Sequence, residues 1–515
     1  MRKLFFLALV VFSLNTYPNL QAADLTAIPG GDADCSPAGG NDGNLQACLN
    51  VAATNSQNDT INITGTHIGP FTYIPIAENF SLTLQGSNNA TIDGNSAEGG
   101  LLIDTSGFFD NNVAIDISGL SFTNGISGVT ARGGLEIIAT DATSINVSDC
   151  SFTDNNTAFN GGGLNIDSQN SSVDVDNNFF EGNFASTRGG GASIQFVTGT
   201  VNFTHNVLLD NHTEANAGGA YFFQDEFAEA TLTIFNNLVV ANGALISGGG
   251  LYLDLIASDA VLNNNVLARN SSSVEGGGLF AILYNPSPGI TLTHNTITAN
   301  QSSTSDGGGV YLSIFGESKI AGFYNNIIWN NQAAAQGADI YTDEDADANN
   351  TGATIELFNN DLSDFFSACQ DSGVCTEDLN ETATVNLDPS FIDTATDNYD
   401  LDPDLSPVLD LGDATLPEIP ATDFLGRTRP DPGPNPDLGA FEVAAVPNDS
   451  TDPGDDPNNQ LPSGPGGSSP LFIEGSGDAC SLNKAPQLKQ HLSLSLVGFG
   501  LSAMFLLRMK KKKSS

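Results

Sequence analysis

Three residue columns recur through the middle of the chain in step with one another, and they constrain the fold more than any other feature. Gly pairs followed by an apolar residue stand at Gly133-Gly134-Leu135, Gly162-Gly163-Leu164, Gly190-Gly191-Ala192, Gly218-Gly219-Ala220, Gly249-Gly250-Leu251, Gly277-Gly278-Leu279 and Gly308-Gly309-Val310, at steps of 29, 28, 28, 31, 28 and 31. A second column reads Cys150, Asn178, Asn206, Asn237, Asn265, Asn295, Asn326 and Asn360, with steps of 28, 28, 31, 28, 30, 31 and 34. A third follows five residues later, from Asn155 through Asn183, Asn211, Asn242, Asn270 and Asn300 to Asn331. A pattern renewed at this interval describes stacked equivalent units, none of which can bury its apolar side alone.

Within each unit the apolar residues alternate, which is the strand period. Val147, Val175, Phe203, Ile234, Leu262, Leu292, Phe323 and Leu357 stand three residues before the second column, and Ile145, Val173, Val201, Leu232, Ala260, Ile290, Ala321 and Ile355 two residues earlier still. A second strand follows each Gly pair, with inward pairs such as Leu164/Ile166 and Leu251/Leu253. Two strands and a Gly/Asn turn per repeat predict an all-β parallel solenoid of roughly ten coils, on the order of 50 Å long at the inter-strand spacing. Asn178, Asn206, Asn237, Asn265, Asn295, Asn326 and Asn360 then form a structural ladder of hydrogen-bonded amides.

Charge narrows the partners. The 515 residues hold 60 acidic and 15 basic side chains, a net charge of −45. All the acids lie between residues 23 and 479, where the basic residues are Arg132, Arg188, Arg269, Lys319, Arg427 and Arg429. Such a body repels phosphate, which excludes nucleic acid and anionic lipid as ligands. With 55 Gly and 23 Pro the chain is poor in helix formers, and a helical bundle is excluded as well.

The two ends read as export signals. Arg2 and Lys3 precede the apolar run 4–14, and a small-residue boundary near Ala22 closes a signal peptide over 1–22. At the other end the apolar run 492–507 is followed by Arg508 and Lys510–Lys513, a basic stop that leaves the body outside the membrane. With the stretch 476–483 ahead of it, this tail resembles bacterial sorting signals of the GlyGly and Myxo type. The resemblance implies handling by export and sorting machinery, with Cys480 as a processing residue; an ordinary single-span anchor is the alternative. Both readings put the protein at the cell surface or outer membrane, held through its tail or released from it. Export invites disulfides, and the short loops predict Cys35-Cys48 and Cys369-Cys375, with Cys150 a buried thiol.

The recurring Phe152-Thr153-Asp154-Asn155 and Gly161-Gly162-Gly163-Leu164 resemble the polymorphic outer-membrane protein repeat over about 130–345, within the wider pectin-lyase-like, right-handed parallel β-helix family. The handedness is what the resemblance implies. The stretch from Cys375 to Glu442 resembles the choice-of-anchor Q domain, through Leu387-Asp388-Pro389-Ser390-Phe391, Asp423-Phe424-Leu425-Gly426-Arg427 and Asp437-Leu438-Gly439-Ala440-Phe441-Glu442. The expected organisation is a signal peptide (1–22), an N-terminal cap (23–57) with one helix whose apolar face is Leu45, Cys48, Leu49 and Ala52, a β-helix (58–365), a small β-rich module (366–443), a flexible linker (444–479) and the tail (480–515).

Chemistry is sparsely signalled. The β-helix family implies a polysaccharide lyase or glycoside hydrolase, but fold does not fix function. Arg188 and Arg269 read as solvated turn residues, and His205 and His294 as members of one outward column three coils apart. Asp pairs such as Asp174/Asp176 arise by composition alone, so no residue is assigned a catalytic role. The acids could coordinate Ca²⁺, although no calcium-binding nonapeptide repeats and no structural metal motif is present. One column stands out: Tyr221, Tyr252, Phe280, Tyr311 and Tyr341 occupy the same outward position of five consecutive coils. Rings in register stabilise a sheet, and the same row is the candidate ligand-binding strip, because an exposed aromatic row calls for a cover. The expected function is adhesion or surface interaction through a polysaccharide or partner, with the lyase or hydrolase as the alternative.

Overall fold

The computed structural model describes residues 23–443, apart from 33–34, 36–43, 76–79, 98, 108–112, 128–132, 141, 143, 227, 285–288, 316–319, 346–352, 370–377 and 431–434. The signal peptide, the linker and tail after 443, Cys480 and the Cys369-Cys375 pair fall outside the described residues.

The chain winds into a parallel β-solenoid whose coils contribute to three sheets of 22, 11 and 8 strands among the described residues. One coil shows the plan. Leu164–Ser168 lies in the 11-stranded sheet, Ser172–Asp176 and Phe179–Glu181 in the long sheet, and Phe184–Ala185 in the short one. The next coil stacks in register, with Leu164 beside Ala192, Asp174 beside Asn202, Phe179 beside Val207 and Phe184 beside His212. Alternation puts Val173 and Val175 inside and Asp174 and Asp176 outside. A stacked run of Phe122, Phe152 and Phe180, with ring centroids 5.0 and 4.8 Å apart, fills part of the interior.

Two sharp corners bracket the short strands of the long sheet, and both are built the same way. The residue before each ladder Asn is left-handed, as at Asn177, His205, Asn236, Asn264, His294, Asn325 and Asn359, with φ of 53–55°. Asp154, Gly182, Asp210, Ala241, Arg269, Ala299 and Asn330 do the same before the second Asn column. The amide that follows each corner turns inward and locks it. Asn206 Oδ1 accepts from the Asn178 backbone N–H at 2.9 Å and from its Nδ2 at 3.1 Å, while Asn206 Nδ2 donates to Val175 O and Asn237 Oδ1. The arrangement repeats to Asn360, and a parallel ladder runs from Asn155 to Asn331, whose last partner is the Asp339 carboxylate. The Gly pairs are steric: a Cβ on Gly190 would lie 2.4 Å from the His212 carbonyl oxygen of the next coil.

The ends differ in part from expectation. Helix α1 (Leu45–Ala52), capped by the Asn44 side chain, closes the N-terminal opening with Leu45, Cys48 and Leu49 buried, and Cys35 and Cys48 form a disulfide. Ala23–Asp32, expected within the cap, is already a sheet strand, paired in parallel with the strand that begins at Asp59. After Asp378–Thr382 the chain leaves the coil plan, folds back and lies along the outside of the long sheet. The start of the expected β-rich module (366–443) still belongs to the solenoid, through Phe365–Cys369 and Asp378–Thr382; from 383 on it is a strap, whose regular strands among the described residues are one antiparallel pair, Phe391–Asp393 and Asn398–Leu401. Its Tyr399, Phe424, Ala440 and Phe441 pack on Val240, Val266 and Ala268, and its Leu401, Val408 and Leu438 on Ile327.

Candidate functional site

Among the described residues the arginines sort into two groups by what they touch. Arg429 is buried in the strap and reaches Glu442 (3.3 Å), His294 Nδ1 (2.8 Å) and the Asn264 side chain (3.3 Å). Arg427 pairs with Asp400 and Asp423, and Arg269 with Asp397 at 2.6 Å. Arg269 sits exposed at its turn, as read from the sequence, and in addition fastens the strap. His294 is corrected: it is fully buried beneath the strap, and that burial together with the Arg429 charge holds its imidazole well below the usual histidine range. His205, in the same column, remains half-exposed and meets Asp176 at 2.7 Å.

Arg188 forms the other group. Among the described residues no carboxylate lies within ion-pair distance of it, and its guanidinium rests over the rings of Tyr221 and Phe223, 5.0 and 5.7 Å from their centroids. These rings project from the outer face of the 11-stranded sheet, where two columns run side by side. One reads Glu136, Asn165, Ser193, Tyr221, Tyr252, Phe280, Tyr311, Tyr341 and Phe366. The other reads Asp167, Gln195, Phe223, Asp254, Ile282, Ser313 and Asp343.

The aromatic row is not the exposed strip its outward position suggests. Tyr221, Tyr252, Phe280 and Tyr311 are 2, 7, 5 and 7% exposed, because each ring stacks on the next at 4.6–5.2 Å and so covers its neighbour's faces. Tyr341, near the end of the row, stacks on Tyr311 and Phe366 and is half-buried. Burial pushes the phenols of Tyr221, Tyr252 and Tyr311 well above the ordinary range, so they act as neutral donors at any physiological pH. The Tyr221 hydroxyl donates to Asp254 Oδ2 at 3.3 Å. Burial pushes the Asp254 carboxyl up, against that hydrogen bond and the nearby Arg188 charge.

At the N-terminal end of the row, Asp167, Gln169, Asn170, Gln195, Val197, Asp225 and Glu226 line a cleft of about 360 Å³. Gln195 Nε2 donates to Asp225 Oδ2 at 3.2 Å, and burial, with the Asp225 charge, pushes the Asp167 carboxyl up. The cleft is polar, open and adjacent to the Arg188 platform, since Gln195 and Phe223 are register partners. None of its residues was a sequence-derived candidate. The rarity of Arg188 was the one available signal.

Neither protein-family models nor curated proteins yield a match. Among solved structures, the crystal structure of pectate lyase Pel9A is similar, with a TM-score of 0.41 and 13% identity over 82% of this chain and 97% of that one. The parallel solenoid itself rests on the strand pairing described above. Among the described residues no group of three or more His, Cys, Asp or Glu is placed to hold a metal ion, and no helix is long and apolar enough to cross a membrane.

Proposed function

We propose that this chain is an exported, surface-anchored adhesion or interaction rod that binds a glycan or partner on the outer face of its 11-stranded sheet. The observation that carries the reading is Arg188. In a chain with 60 acidic residues, a guanidinium placed on aromatic rings rather than on a carboxylate keeps its donors available for a ligand. The Cys35–Cys48 disulfide supports export, because such bonds persist in oxidising compartments. The signal peptide, the polymorphic outer-membrane protein and choice-of-anchor Q resemblances, and the sorting tail support surface anchoring.

A glycoside hydrolase is the second reading, favoured by one observation. Burial, with the Asp225 charge beside it, pushes the Asp167 carboxyl up, the direction a general acid requires. The test is incubation of the full chain, in mild detergent, with neutral and acidic polysaccharides, with and without Ca²⁺, following retention, reducing ends and unsaturated products. Retention without turnover is expected. Turnover abolished by Asp167→Asn would replace adhesion with hydrolysis.

A further inference from the structure

We propose that the step where the aromatic row ends is a subsite for a neutral, hydroxyl-rich glycan; the inference rests on the lateral-face binding reading and names its ligand class. The step follows from the register. Along the outer column the side chains are rings from Phe366 back to Tyr221, and the next two positions are Ser193 and Asn165. A ring's height is lost between one coil and the next. Arg188 lies at this drop, over Tyr221 and Phe223.

Three kinds of contact meet there. Phe223 is half-buried and offers an apolar surface to sugar C–H groups. Arg188 offers donors, and Gln195 offers an amide already oriented by Asp225. Asp167, Asp225 and Glu226 accept from hydroxyls within a cleft of about 360 Å³, a volume in the range of small-ligand clefts. Vicinal hydroxyls both donate and accept, so a sugar ring suits a wall that mixes carboxylates, amides and a guanidinium.

Charge selects within the glycans. Asp167, Asp225 and Glu226 line the cleft, and Asp254 feels the Arg188 charge. The Asp167 and Asp254 carboxyls are already pushed up by burial, so the site resists further negative charge. A uronate or sulfated chain adds such charge. A neutral glycan avoids that penalty and still takes up the donors of Arg188 and Gln195.

The test is affinity electrophoresis of the full chain in mild detergent through gels cast with galactomannan, β-1,3-glucan, polygalacturonate, alginate or chitosan. Wild type, Arg188→Ala, Arg188→Lys, Gln195→Ala and the surface control Thr231→Ala are compared after circular dichroism shows equal strand content. Retention is expected in a neutral gel. Arg188→Ala and Gln195→Ala should each weaken it about tenfold, the scale of one good polar contact; Arg188→Lys should be intermediate, and Thr231→Ala unchanged. Arg188-dependent retention confined to acidic gels or to chitosan would overturn the neutral class while leaving the site. Retention indifferent to Arg188 and Gln195 would overturn the site while leaving the lateral-face reading. Retention in no gel would overturn both.

Discussion

Replacing one mid-ladder amide, Asn237→Leu, isolates what the ladder contributes, because Leu keeps the branching at Cγ and has no polar atom. Asn237 Oδ1 accepts from the Asn206 backbone N–H (2.9 Å) and Nδ2 (3.2 Å), and its Nδ2 donates to Phe203 O (2.8 Å) and Asn265 Oδ1 (2.9 Å). The substitution leaves two donor hydrogens of Asn206 unanswered in a residue with no solvent exposure, whereas Asn265 Oδ1 keeps the Asn237 backbone N–H. At roughly 1–3 kcal/mol for each buried unsatisfied donor, the loss is about 2–6 kcal/mol. Extra apolar burial by Leu offsets about 1 kcal/mol of that. Urea unfolding followed by far-ultraviolet circular dichroism should show a net loss of about 3 kcal/mol, and hydrogen exchange should show the Asn206 amide losing protection before more distant coils. The reverse substitution lies at the head of the column, where Cys150 donates its backbone N–H to Asn178 Oδ1 without an amide side chain of its own. Cys150→Asn adds a rung and should gain about 1 kcal/mol. A loss below about 1 kcal/mol for Asn237→Leu, with Asn206 protection unchanged, would refute the ladder as a source of stability.

Other perturbations probe the strap, the last coil and the aromatic row. Arg429→Met removes the counter-charge of the buried Glu442 carboxylate, leaving it the Asp437 backbone N–H, at a cost of about 3–5 kcal/mol, and limited proteolysis should then cut within 387–443 before the solenoid is attacked; equal resistance to wild type would contradict it. Asp361 has a carboxyl pushed from 3.8 to about 7, chiefly by burial and further by Asp339 and Asp388. The folded chain therefore holds a proton that the unfolded chain releases between those values, so stability falls as pH rises through the window, by up to about 4 kcal/mol. Asp361→Asn should raise the urea midpoint at pH 8 and leave it unchanged at pH 3.5. Tyr252→Ala removes a stacked, buried ring and should cost about 3 kcal/mol, with Tyr311→Ala adding to it; lost ligand retention with an unchanged thermal midpoint would make the row a contact surface instead.

The solenoid was legible because stacking forces equivalent residues into one column, and the column is visible as a period in the sequence. Asn237 must resemble Asn206 and Asn265 for its amide to have partners. Corners were less legible, since left-handed backbone is signalled by Asn177 or Gly182 but disguised at Ala241, Ala299, Arg269 and His294. The strap carries no period. Its fasteners join residues more than a hundred positions apart, as in Asn264 donating to Thr422 O and Arg429 meeting His294, so the sequence could show neither the burial of His294 nor the strap partner of the exposed Arg269. For the aromatic row, alternation identified the outward side. It could not show that rings 4.6 Å apart shield one another. The cleft depends on where the rings stop, and on Arg188 reaching Tyr221 across 33 positions of sequence.

The strap also decides how the rod takes a load. Val443 donates its backbone N–H to Asp437, and Ala440 is fastened to Thr296, so the chain beyond residue 443 departs from the flank of the stack rather than from its last coil. A pull on that chain is resolved sideways, as shear spread over Arg429, Arg427 and the apolar seam against Val240, Val266 and Ile327. Tension applied at an open coil would instead unzip one rung at a time. Fastening residue 443 along the side turns a sequence of small ruptures into one collective failure.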